Sequence, residues 1–389
     1  MKRTAGVLSL LVAGTMGAAW AQDPITIGVN LELSGRLVSL GTPELEGMEA
    51  ARAELGEALG RPIEFSVCDN ASTPEGSIAC ANRFVDEGVI AVLGTGGSSQ
   101  AIPAAEVLQE AGVIMITPSS TNNATTEVGD YIFRVAYNDE FQGQVAADYL
   151  YNDQEARKVA VFRQQDDDYS FGLAGYFEDA FTALGGEVVI VDFTAGTVDF
   201  AAQINDIRAF APDVIYTPAF CPELAAAVPQ LKQQGFTDQL IMGSDGSDDA
   251  QCPDGGGAAF NGYRFTAFAE PDQLSGDPEA AARAAEFQTA FQESQPDGTF
   301  NGFTLAGADA YNVIVQAITD ADSDEVDAVR DALANLENYP GVTGSITFAG
   351  TERTPANRIM GFFEYAVPGT DGAAWTKEPL EGLTSSFEN

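Results

Sequence analysis

The sequence predicts an α/β protein made of two doubly wound, parallel-sheet lobes. Three observations predict it. Short β-branched runs alternate with amphipathic stretches of helical length, the alternation occurs twice (near 25–117 and near 158–245), and many strand-like runs end in turns rich in Gly, Ser and Pro. Strands that alternate with helices in this way form parallel sheets covered on both faces. At 389 residues and 45% hydrophobic, the chain is long enough for two ordinary domains with substantial cores.

Taken in order, ITIGVNLEL at 25–33 reads as a strand, apolar and alternating. Residues 41–59 read as a helix with Leu45, Met48, Ala51, Leu55 and Leu59 on one side. A strand over 63–68 and a helix over 74–86, with Pro74 in its first turn, come next. The strand 89–93 runs into Gly94, Gly96, Gly97, Ser98 and Ser99, then a helix containing 102–110. Strands follow at 113–117, ending in Pro118-Ser119-Ser120-Thr121-Asn122, and at 131–135. The second round has helices at 142–151, 171–184, 200–209 and 223–234. Its strands fall at 158–163, 187–193, 213–218 and 240–243, the last ending in Ser244-Asp245-Gly246-Ser247. The strand 262–268 leads away to helices at 278–292, 304–319 and 325–336 and strand-like runs at 344–348 and 357–365.

The N-terminus carries an address. Lys2 and Arg3 precede an apolar run, Val7 to Met16, and the small-residue site Ala19-Trp20-Ala21, so residues 1–21 read as a signal peptide. No later apolar run reaches spanning length, and no Cys follows the cleavage site, so the mature chain is expected to be soluble, exported to the periplasm and free of a lipid anchor. Loss of Lys2 and Arg3 takes the formal charge from −40 to −42. Nucleic acid and anionic lipid are poor partners for such a surface. The scarcity of Lys beyond Lys158, Lys232 and Lys377 fits a salt-adapted surface.

The sequence contains no histidine, which excludes Ser-His and Cys-His catalysis and His-containing metal sites. The four cysteines, Cys68, Cys80, Cys221 and Cys252, point to two disulfides in an exported chain. Of three possible pairings, Cys68–Cys80 and Cys221–Cys252 each stay within one lobe and are preferred. A four-thiolate zinc site would call for a C-x-x-C pair, which is absent. No metal or cofactor is expected.

In open α/β sheets, ligands bind beyond the carboxyl ends of strands. The turn at 94–100 sets backbone N–H groups, two hydroxyls and a helix N-terminus together, a site for a small anion. It lacks the Gly-Lys-Ser/Thr of a Walker loop and is not a clean GxGxxG, which counts against nucleotide. Ser98 and Ser99 are either helix caps or oxygen ligands for a carboxylate. Ser119, Ser120 and Thr121 make a second hydroxyl cluster. Asp245 is either a solvated turn residue or a counter-ion for an ammonium group, and Tyr169, after the acidic run 166–168, could cover a ligand.

These segments resemble the Leu/Ile/Val-binding family of periplasmic substrate-binding proteins that serve ATP-driven uptake. The resemblance rests on IGVNLELSG…LG at 27–41, FVDEGVIAVLG…SS at 84–99, IMITPSSTN at 114–122, IFRV at 132–135, DDYSFGL at 167–173, DFAAQINDIRAFAPDVIY at 199–216 and IMGSDG at 241–246. It implies a type I periplasmic binding protein fold with two lobes joined by a three-crossing hinge. Residues 22–136 and 270–348 would form lobe 1, residues 137–269 and 355–366 lobe 2, and 367–389 a loose tail. The crossings would lie near 135–138, 267–271 and 347–354.

By the same resemblance, Ser98 and Thr121, helped by backbone such as that of Ser119, hold an amino acid's carboxylate and amino group. Asp245 pairs with the ammonium, and Tyr169 and Phe220 close over the ligand. Three positions depart from the family: Asp245 stands in place of a longer acid, Leu40 in place of an aromatic, and Gly96 in place of a bulkier apolar residue. The expected function is a monomeric, non-enzymatic receptor that delivers an aliphatic or other neutral amino acid to an ABC permease. A binder of a small amide, urea or aromatic acid, or a sensory module, are the alternatives. An exported hydrolase is a rival of another class, disfavoured by the missing histidine and the lack of a Ser-x-x-Lys motif.

Overall fold

A computed structural model of the chain describes residues 23–274, 277–356, 358–367 and 374–387. The signal peptide read at 1–21 lies outside the described residues. Two sheets organise the fold. The first has six strands in the order Glu57–Ala58, Arg61–Asp69, Ile25–Leu31, Ala91–Gly94, Ile114–Thr117, Ile132–Arg134. All its pairings are parallel except the short Glu57–Ala58 hairpin. The second has seven, in the order Thr376–Phe387, Arg358–Ala366, Tyr263–Phe268, Leu240–Gly243, Val214–Thr217, Lys158–Gln164, Glu187–Phe193. Its last five strands are parallel and the first two add antiparallel.

Alternating side chains explain why each sheet is covered twice. In the first sheet, Ile27, Val29 and Leu31 pack with Met48, Phe291, Tyr311 and Ile314, while Val92 and Met115 pack on the other face with Phe84, Ala101 and Leu108. In the second, Ala160 and Phe162 pack with Ile204, Leu224 and Phe265 on one face, and Val159 and Val161 pack with Phe177, Phe181 and Tyr216 on the other. A further apolar group joins the two halves: Leu37, Leu40, Tyr137, Tyr169, Phe220, Phe268 and Phe303. Tyr137 stacks on Phe268 with ring centroids 4.9 Å apart. These two residues lie where the chain passes from one sheet's region to the other's, after Arg134 and after Phe268. The third passage runs between Gly344–Ile346 and Arg358–Ala366.

Local chemistry sets several boundaries. Thr73 caps the helix Pro74–Glu87 by accepting from the Gly76 N–H at 3.0 Å, and Gly88 ends it in the left-handed conformation. The first helix runs Val38–Glu54 rather than to residue 59. Leu59 and Gly60 both take positive φ (55° and 71°) between the paired Ala58 and Arg61, a two-residue hairpin turn that no helix can include. The chain end is also corrected. Within the residues expected to form a loose tail, Thr376–Phe387 is a strand on the edge of the second sheet, with Leu380 and Leu383 against the core. Its Lys377 reaches Asp248 at 2.8 Å and also contacts Glu270.

Both preferred disulfides are present, Cys68–Cys80 and Cys221–Cys252. They close loops of 12 and 31 residues. From loop entropy, replacing the first pair by Ala is expected to cost about 3 kcal/mol and the second about 4 kcal/mol. Denaturant unfolding of the two double variants checks this, and a larger loss for the shorter loop would contradict it.

Candidate ligand-binding site

The two parallel sheets turn their carboxyl strand ends toward one cleft. In each lobe the five-strand parallel core has its first strand between the second and third, so the chain reverses direction around it and leaves a crevice there. The loops that fill the crevice line a small cavity of about 10 Å³, the room of about one water. Its lining is Leu40, Gly96, Ser98, Ser119, Thr121, Tyr169, Phe220, Asp245 and Phe303. The structure thus brings the eight residues that the resemblance singled out to one place and adds Phe303, while Ser99 and Ser120, the other hydroxyls of the two clusters, are not part of the lining. That ring is set in the first turn of Gly302–Ala321 by the Asn301 cap, which accepts from the Phe303 and Thr304 N–H groups.

Ser98 opens the helix Ser98–Ala111, and Gly97, not a serine, is the residue before it. The Ser98 hydroxyl oxygen accepts from Ser120 Oγ at 3.1 Å and from the Asn122 N–H at 3.3 Å. Its own proton is left to donate, at the positive end of a helix dipole. Thr121 Oγ1 is buried with no hydrogen bond of good geometry, although it lies close to Asp139, whose carboxyl is raised by burial well above the usual range against the opposing pull of Thr121.

On the other wall, Asp245 opens a short turn after Leu240–Gly243 and is 4% exposed. Its Oδ1 accepts from Gln142 Nε2 at 2.7 Å and from the Tyr169 hydroxyl at 2.5 Å. Burial pushes its pKa up to about 6, against the pull of those donors. Tyr169 sits just inside a helix capped by Asp167 and lies 5.0 Å, centroid to centroid, from Phe220. The Cys221–Cys252 disulfide begins at the residue after Phe220 and ties this strand end to the segment beyond Asp245.

The glycine turn differs from expectation. The N–H groups of Gly96 and Gly97 are not free: both donate to the carboxylate of Glu32, at 3.2 and 3.3 Å. Anion-binding capacity on this wall therefore rests on Ser98 and the helix start. Glu32 and its neighbour Glu44 are both fully buried. Glu44 accepts from Ser119 Oγ, and its other oxygen has no partner. Burial, then the charge of Glu32, raises Glu44 well above the usual carboxylate range.

Contacts across the cleft hold the walls together. Asn122 Nδ2 donates to the Asp168 carbonyl at 2.7 Å, and the Asp168 N–H donates to Ser99 Oγ at 2.8 Å. Ser39 Oγ donates to Asp249 at 2.5 Å. Arg36 reaches from the first lobe to Gln164 at 2.9 Å and Glu223 at 2.8 Å, with its guanidinium over the Phe220 ring.

Sequence reasoning missed Gln142, Glu32, Glu44, Arg36 and Phe303. One signal existed for Glu44: Leu40, Glu44 and Met48 fall four residues apart on one helix face, so the acid interrupts an apolar stripe. Glu32 and Gln142 carry no comparable mark.

The model of the family described as periplasmic binding protein matches residues 24–372. The chain belongs to that family. Among relatives, it is 35% identical over 309 residues to an amino acid binding protein of Pseudomonas aeruginosa, covering 77% of this chain and 80% of that protein. It is 30% identical over 347 residues to the Leu/Ile/Val-binding protein BraC3 of Rhizobium johnstonii, covering 88% and 92%. Among solved structures, a leucine binding protein of Thermotoga maritima is similar at a TM-score of 0.84 and 29% identity, over 94% of this chain and 99% of that one. A branched-chain amino acid transporter substrate-binding protein of Streptococcus pneumoniae, solved with isoleucine, is similar at 0.79 and 26%, over 92% and 99%. The type I periplasmic binding protein fold read from the sequence is the fold observed. Among the described residues, no helix is long and apolar enough to cross a membrane and no acid or cysteine cluster could hold a metal.

Glu32 gives a stability test. Burial pushes it up to about 7 from 4.5. Because the folded-state pKa is raised, the resulting stability is complete below about pH 4.5 and is lost as pH rises through about 7. That loss is about 3 kcal/mol for this group. Urea unfolding at pH 5 and pH 8 should show a decline that is shallower by about this amount in Glu32→Gln; equal declines would contradict the assignment.

Proposed function

We propose that the chain is an extracytoplasmic receptor that holds a small neutral amino acid, aliphatic or otherwise, as its zwitterion between the lobes. The observation that carries this reading is the opposed polarity of the cavity walls. Ser98 offers a donated proton at a helix N-terminus, suited to a carboxylate. Asp245 offers a buried anion and Thr121 a free hydroxyl oxygen, suited to an ammonium group. Leu40, Tyr169, Phe220 and Phe303 are the apolar part of the lining, and in this reading the walls sit further apart around a ligand so that its side chain packs against them.

The relatives' names support the same ligand class, and the family's association with ABC transporters supports delivery to a permease. In this reading the receptor performs no chemistry. Ligand enters when the lobes part, and the contacts of Arg36, Ser39, Ser99 and Asn122 re-form over it.

A calorimetric and thermal-shift screen of the neutral L-amino acids, with small amides, urea and aromatic acids as competing classes, tests the proposal, since ligand binding raises the melting temperature by linkage. Stabilisation by an amino acid is expected. Asp245→Ala should weaken that binding by about 100-fold, the scale of removing one partner of a buried charge pair. Full-strength binding by the variant would overturn the assignment. The ionised form of Asp245 holds the ammonium, so wild-type affinity should fall about tenfold from pH 7 to pH 5 as a group of pKa about 6 takes up its proton.

A further inference from the structure

The acid that interrupts the apolar stripe of the first helix has a carboxyl oxygen unspent. Glu44 is fully buried, and three residues of the cavity lining meet at its side chain. Leu40 stands one turn before it on the same face of Val38–Glu54. Ser119 Oγ donates to its Oε1. Gly96 has no side chain to shield it: a Cβ there would sit 3.0 Å from both Glu44 carboxyl oxygens and 2.8 Å from Leu40 Cδ2. The carboxyl therefore lies directly behind the lining at Gly96 and Ser119.

Packing holds it there. Gly307 stands one turn after the lining residue Phe303 and abuts the Glu44 backbone, where a Cβ would come within 2.2 Å of the Glu44 carbonyl oxygen. Glu32 fixes the glycine turn by accepting the Gly96 and Gly97 N–H groups. The helix and the turn on either side of the carboxyl are thus both tied.

Glu44 Oε2 has no hydrogen-bond partner, and no Lys or Arg is among the groups acting on the carboxyl. An unpaired buried oxygen is costly, and an occupant that completes it relieves the cost. What the occupant must offer follows from protonation. Burial, then the charge of Glu32, raises the carboxyl well above the usual range, so Oε2 has to be satisfied both as an acceptor and as an O–H donor. A side-chain ammonium or guanidinium only donates. A hydroxyl or a carboxamide donates and accepts, and so matches Glu44 in either state.

We propose that the part of the cavity beside Leu40 and Gly96 takes a short amino acid side chain that ends in a hydroxyl or carboxamide, and that this polar head pairs with Glu44 Oε2. The inference rests on the zwitterion reading above and narrows it from neutral amino acids in general to those with a donor–acceptor side chain. The stem of that side chain packs on Leu40 and Phe303, and the specificity lies in Glu44 and in the missing side chain of Gly96.

Two pairs of ligands of matched shape test this. L-threonine differs from L-valine by a hydroxyl in place of a methyl, and L-asparagine from L-leucine by an amide in place of two methyls. All four are titrated calorimetrically into the mature wild-type chain, Glu44→Leu, Glu44→Gln and Gly96→Ala. In the wild type the polar member of at least one pair should bind about tenfold tighter, the scale of one hydrogen bond to a buried, otherwise unpaired group. Glu44→Leu should erase that preference. Glu44→Gln keeps a donor and an acceptor and should hold it within about threefold. Gly96→Ala sets a methyl against both carboxyl oxygens and should also reduce the preference to below about threefold, which keeps the test open if Glu44→Leu does not fold. A wild-type preference below threefold in both pairs, or one that survives unchanged in Glu44→Leu or Gly96→Ala, would overturn the inference and leave the zwitterion site standing. Failure of the wild-type chain to bind any of the four would instead overturn the zwitterion reading, and this inference with it.

Discussion

The site depends on one constraint: within each lobe the core strands run in the same direction. Parallel strands need a helix to return the chain, so every loop that follows a strand emerges at the same edge. In the first lobe that edge receives the segments after Leu31, Gly94 and Thr117. In the second it receives those after Gln164, Thr217 and Gly243. Face the two edges together and six loops from distant parts of the sequence meet in a volume smaller than any of them. The antiparallel additions, Arg358–Ala366 and Thr376–Phe387, extend the second sheet at its far side and brace the segment after Gly243 through Tyr365, whose hydroxyl donates to the Ser247 carbonyl at 2.7 Å, and Lys377, which reaches Asp248 at 2.8 Å.

A second regularity runs through the cleft. Its buried acids outnumber its cations. Asp245, Asp167, Glu32, Glu44 and Asp139 all have pKa values raised by burial. Arg36 serves Asp167 and Glu223, and Arg134 is spent on the carbonyls of Ser120, Asn122 and Asn123. Burying carboxylates without partners is unfavourable, and a molecule bearing a positive charge relieves that cost where it binds. An abundance of acid that reads as mere solubility along the sequence acquires a direction once the fold gathers some of it inside.

Much of this was legible beforehand. The repeated strand–helix alternation gave two doubly wound lobes, and the turns after the third and fourth strands gave Ser98, Ser119 and Thr121. The resemblance carried Leu40, Gly96, Tyr169, Phe220 and Asp245 to positions that do share one cavity. What stayed hidden depends on three-dimensional neighbours. Glu32 looks like an ordinary strand-end acid until the Gly96 and Gly97 N–H groups are found against it. Gln142 is one of many helical glutamines until Asp245 arrives from 103 residues away. The strand at Thr376–Phe387 was missed because an edge strand needs only one partner and a few inward side chains, a weak pattern beside Pro, Gly and charge.

The small cavity, with room for about one water, also bears on kinetics. A groove open to solvent would exchange its occupant by diffusion, and residence time would follow from direct contacts alone. Here the contacts of Asn122, Asp168, Ser99 and Arg36 bridge the walls over a cavity with room for about one water. On the proposed receptor reading, an occupant larger than a water leaves when those bridges break, so its dwell time follows how often the lobes separate. Changes at the rim, well away from the ligand, would then act on dwell time without altering a single contact to it.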